Sequence, residues 1–134
     1  MIEERFDKAV RLVRNALETQ ELSIAGELDV REGLSRPAER RPPSSKLLLV
    51  DSPLLLFEAL ALDKAAGVFF PVHVLVSADG DRTRAVCVEP SSLFDVRLPA
   101  GSSEPLANLR KRVMAALEAA AAQSRLLRPG PLRL

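Results

Sequence analysis

The chain has one cysteine, one histidine, and no tryptophan or tyrosine among its 134 residues. Cys87 alone can form neither an intramolecular disulfide nor a cysteine-based zinc site. His73 alone rules out a multi-histidine centre. The carboxylates do not cluster, so no three- or four-ligand metal set is expected, and no cofactor is implied. The six glycines are scattered and build no phosphate-cradling loop. Asp79 and Asp81 lack the spaced ligands and closing glutamate of a calcium loop. No segment reaches the ~20 consecutive apolar residues of a membrane span. Met1-Ile2-Glu3-Glu4-Arg5 is not the apolar start of a signal peptide. A cytoplasmic protein is expected. Nineteen basic and eighteen acidic residues leave a formal net charge of +1, too little for general steering onto nucleic acid or anionic lipid. Nucleic acid and membrane are therefore not expected partners.

The chain is 47% apolar, enough for one packed core without metal or disulfide support. Phe6, Ala9, Val10, Val13, Ala16 and Leu17 recur at helical spacing, predicting an amphipathic helix over about residues 4–20. Leu22, Ile24 and Leu28 fit a half-buried strand. Asp29 and Glu32 resemble a capping box for a short turn ending at Gly33. Three prolines among charged residues make 35–45 an exposed loop.

Leu47–Val50 reads as a central strand covered on both faces. Ser52 and Pro53 then open a helix expected to end just before Gly67. Asp79-Gly80 predicts a hairpin between Val72–Ser77 and Arg82–Glu89, with Val74 opposite Ala85 and Val72 opposite Cys87. A short strand is expected near Phe94–Leu98. A last helix, capped by Ser102 or Ser103, carries the stripe Leu106, Leu109, Val113, Ala116, Leu117 and Ala120. The fold class is α+β: a mostly antiparallel sheet with helices packed on one face. Residues 1–125 form the single domain, and 126–134, with Pro129, Gly130 and Pro131, form a disordered tail.

Three stretches carry a resemblance to a known family. They are Phe6-Asp7-Lys8-Ala9-Val10, Leu47-Leu48-Leu49-Val50-Asp51-Ser52-Pro53, and Val86-Cys87-Val88-Glu89-Pro90. Together with a strand opened by Phe70-Pro71, their order and spacing over roughly residues 6–94 resemble domain of unknown function 302. The resemblance implies a fold similar to the TATA-binding-protein-like α+β group, which says nothing about DNA binding. Many members carry Cys-Asn-Pro where this chain has Asp51-Ser52-Pro53. They also carry Leu-Pro-Cys-Asn where it has Phe70-Pro71-Val72-His73, so any thiol pair is lost here. The family's strand before the first helix has only Met1–Arg5 to form from, and is absent or very short.

Asp51, Ser52 and His73 form the candidate ligand pocket: Asp51 would orient the imidazole and Ser52 would bond a ligand. The plainer alternative makes Ser52 a helix cap and His73 a histidine satisfied by backbone. Cys87, beside Val74 and Ala85, reads as a small hydrophobe and not a reactive thiol. Arg110-Lys111-Arg112 reads as a solvated helix face, and Arg36, Arg40 and Arg41 form a second basic cluster. No catalytic residue is assigned. A non-catalytic module for a small apolar ligand or for protein interaction is expected. An enzyme using His73 and Asp51, or a subunit of a larger assembly, remains the alternative. Strands apolar on both faces, with helices for only one, predict a homodimer.

Overall fold

The computed structural model describes residues 1–31, 43–62, 64–88 and 103–127. Helix α1, Phe6–Thr19, buries Ala9, Val10, Leu12, Val13 and Leu17 along one side, the face its spacing predicts. It stops in a Schellman arrangement. The Glu21 N–H donates to the Glu18 carbonyl at 2.9 Å and the Leu22 N–H to the Leu17 carbonyl at 3.1 Å. Glu21 takes the left-handed conformation this needs, at φ 59°. Leu17 and Leu22, which meet across such a motif, are both buried.

Strands β1 (Ser23–Asp29), β2 (Ser45–Asp51), β3 (Val72–Asp79) and β4 (Arg82–Val88) form one antiparallel sheet in chain order. Helix α2, Pro53–Leu62, follows β2, and helix α3, Ser103–Leu127, closes the described chain. The helices lie on one face. Leu48, Val50, Val72, Val74 and Val76 point into the core they share with α1 and with Leu106, Leu109, Val113 and Ala116 of α3. The Phe70–Pro71 peptide is cis.

Several expectations shift. A bulge between Ile24 and Gly26 adds one residue to β1, and one added residue reverses side-chain parity. Leu28 therefore leaves the core side, while Glu27 turns towards the helices and pairs with Arg14 and, at 2.9 Å, Lys46. The hairpin loop is Gly80-Asp81, so Asp79 opposes Arg82, Val76 opposes Ala85 and Val74 opposes Cys87. Within this loop Gly80, and not Asp81, takes a positive φ, 64°. A turn with glycine first needs one such residue, whereas Asp79-Gly80 in a type I′ turn would need two. The slip is two residues, so every side chain keeps its face. Helix α2 ends at Leu62, and a short 3-10 segment, Lys64–Phe69, carries the chain through Gly67. Helix α3 runs to Leu127, taking in Leu126 and Leu127, which the composition had assigned to the tail.

The turn expected at Asp29–Gly33 beyond residue 31, most of the expected proline-rich loop with its arginines, the strand expected near Phe94–Leu98 and the expected tail from Arg128 lie outside the described residues.

In place of a first strand there is one bridge. Ile2 pairs antiparallel with Thr83 on the outer edge of β4, through bonds of 2.7 and 3.0 Å. The Thr83 hydroxyl donates to the Glu4 carbonyl at 2.8 Å. The Glu3 N–H donates to Ser124 Oγ on α3 at 3.0 Å, and that hydroxyl donates onward to the Ala121 carbonyl at 2.7 Å. Ile2, Thr83 and Ser124 are all buried. Ile2 and Glu3 are thus fastened to both β4 and α3.

Candidate functional site

Asp51 and Ser52 sit where β2 hands over to α2. Ser52 is buried, and its Oγ accepts the Leu55 N–H at 3.3 Å, while its carbonyl accepts the Leu56 N–H at 2.9 Å. This is the geometry of a helix cap followed by a first-turn proline. Asp51 is also buried. Its Oδ1 accepts the Ser52 N–H at 2.7 Å, and its carbonyl accepts the Ser23 hydroxyl at 3.3 Å. Burial raises the Asp51 carboxyl above its ordinary 3.8, and the Ser52 N–H pulls it partly back.

His73 lies opposite Leu49 on β2 and Val88 on β4. Strand alternation puts it on the face of Leu49 and Asp51, diagonal to the aspartate, a relation that spans roughly 7–8 Å between strands. Its side chain is exposed. The structure thus brings Asp51 and His73 to one face near one end of the sheet. The Ser52 hydroxyl is engaged by α2. Among the described residues, no group of three or more His, Cys, Asp or Glu side chains is placed to hold a metal.

The face away from the helices carries a longer pattern. Leu28 opposes Leu47, Leu47 opposes Leu75, and Leu75 opposes Val86. One apolar row therefore crosses all four strands. Leu28 is 58% exposed, Leu75 38% and Val86 39%. Beside it runs Gly26, Leu49, His73 and Val88, where an added Cβ on Gly26 would stand 3.1 Å from Leu49 Cδ1. On the other side Ser45 and Ser77 share a 3.3 Å hydrogen bond, and Arg84 opposes Ser77. The row is apolar, and its polar neighbours mark a rim.

Two further features were not foreseen from sequence. Helix α2 buries only Leu55 and Ala59; Leu54 is 61% exposed, Phe57 72% and Leu62 64%. The signal was present: Pro53–Leu62 is apolar at every position except Glu58, whereas a helix covering one face needs a polar side. Between α2 and the start of α3 runs a groove of about 450 Å³ lined by Phe57, Glu58, Ala61, Leu62, Glu104, Pro105 and Asn108. Cys87 is half-buried against the core. It borders a cleft of about 290 Å³ with Met1, Met114 and Leu117, near the low end of small-molecule pockets. Arg110 and Lys111 are exposed on α3. No helix among the described residues is long and apolar enough to cross a membrane.

The family described as domain of unknown function DUF302 matches residues 2–122. The crystal structure of an uncharacterized conserved protein DUF302 from Bacillus stearothermophilus is similar, with a TM-score of 0.77. Identity to it is 18%, over 89% of this chain and 93% of that one, a likeness of fold. No curated protein matches the chain.

Proposed function

The chain belongs to the family of domain of unknown function DUF302, and from that premise we propose that it is a non-catalytic protein-interaction module that works as a homodimer. The observation that carries the reading is the apolar row Leu28, Leu47, Leu75 and Val86 across the sheet face away from the helices. An antiparallel sheet whose second face met only water would place polar side chains there. The row holds no charge, so a two-fold axis through it stacks apolar side chains on their own copies with no like-charge contact. Ser45, Ser77 and Arg84 border it as a polar rim borders an interface core.

A non-catalytic role is supported by what the candidate groups already do. The Ser52 hydroxyl caps α2, and the Asp51 carboxylate accepts the Ser52 N–H. Light scattering at micromolar concentration is expected to give the mass of two chains. Leu75→Glu combined with Val86→Glu is expected to give one, with an unchanged circular dichroism spectrum. A wild-type mass of one chain, constant on dilution, would overturn the reading.

A further inference from the structure

The groove between α2 and α3 is lined by apolar side chains and by one carboxylate from each helix. Phe57, Ala61 and Leu62 supply the apolar surface; Glu58 stands on α2 and Glu104 in the first turn of α3. Both carboxylates are exposed, and no Lys or Arg lines the groove among the described residues. Such a groove suits an occupant with apolar anchors and flanking cations.

This chain carries a segment of that composition. Residues 128–134 read Arg-Pro-Gly-Pro-Leu-Arg-Leu, with two arginines, two leucines and no acid. They lie beyond the family match, which ends at residue 122. The segment cannot serve its own groove. From Asn108 to the helix end at Leu127 are 19 residues of α3 (127 − 108), roughly 28 Å at ~1.5 Å per residue. Leu134, the farther of the two leucines, is seven residues past Leu127 (134 − 127), a reach of at most about 25 Å even fully extended, and Leu132 falls further short.

We propose that the groove receives the segment Arg128–Leu134 of a second copy of the chain. Leu132 and Leu134 pack on the apolar lining beside Phe57, and Arg128 and Arg133 meet Glu58 and Glu104. Pro129 and Pro131 limit the conformations the segment gives up on docking. This contact is separate from the sheet-face pairing and does not rest on it.

The test mixes two full-length chains. One is isotope-labelled; the other is unlabelled and spin-labelled at Gly130→Cys in a Cys87→Ser background. The amide signals of Phe57, Ala61 and Asn108 in the labelled chain are expected to lose intensity. Arg128→Glu with Arg133→Glu in the spin-labelled chain should restore it. Adding Glu58→Lys with Glu104→Lys to the labelled chain should bring the loss back. The effect should persist when the labelled chain carries Leu75→Glu and Val86→Glu, whose mass independently reports the sheet-face reading. No intensity loss at these amides, loss unaffected by the charge reversals, or loss that vanishes with the sheet-face substitutions would each overturn the proposal.

Discussion

Burial raises the Asp51 carboxyl because its charged form gives up water, and the Ser52 N–H returns only part of that loss. A carboxyl whose folded value lies above its unfolded one adds full stability below the ordinary 3.8, and that contribution is lost as pH rises through the folded value. Asp51→Asn keeps an acceptor for the Ser52 N–H and removes the charge. Urea denaturation across pH should find this variant more stable than the parent at neutral pH, with the gap closing on acidification. A variant less stable at neutral pH would show that the charged form earns its place. At the neighbouring residue, Ser52→Ala should cost about 1 kcal/mol in the same assay, since the Leu55 N–H loses its partner. Ser52 as a cap was legible from Ser-Pro alone. The burial of Asp51 was not, because it depends on what covers the end of the sheet.

Among the elements, the end of α1 offers the clearest measurement. Glu21 holds a left-handed conformation at φ 59°, where glycine meets no penalty from a Cβ. Glu21→Gly should stabilise the protein by about 1 kcal/mol, read as a raised denaturation midpoint with unchanged slope. A lowered midpoint would mean that the Glu21 side chain contributes more than its backbone costs. The α-helices and strands within the described residues were legible by different signals: α1, β1 and α3 by periodicity, β2 by its apolar run, α2 by its Ser-Pro start and the β3–β4 hairpin by Asp-Gly. Two details escaped. The β1 bulge inserts Ala25 beside Gly26, whose place inside a strand was its local signal, and Leu28 kept its apparent alternation while changing face. Helix α2 looked one-sided because apolar residues at helical spacing stand out even when the positions between them are also apolar.

For the molecule as a whole, the sequence showed that the sheet had more apolar surface than its helices could cover. The residues that form the uncovered row follow from register, which periodicity alone cannot provide. Nor could it show how Ile2 and Glu3 are held, since Ser124 reads as a surface residue late in a helix. Ser124→Ala removes the hydroxyl to which the Glu3 N–H donates, at a cost of about 1 kcal/mol. Amide exchange should localise that loss to Ile2, Glu3 and Thr83. Exchange unchanged at those positions would assign the anchoring to the Ile2–Thr83 bridge alone.

That fastening also sets an order of events during synthesis. Glu3 and Ser124 are 121 residues apart, so at roughly 5–20 residues per second a ribosome needs about 6–24 s to make the second after the first. Throughout that interval Ile2 has been translated but its seat on α3's side of β4 is unfinished. The native arrangement can be reached only once α3 has been made, and a nascent chain stalled before α3 would expose the apolar surface of α1 and the sheet that α3 covers.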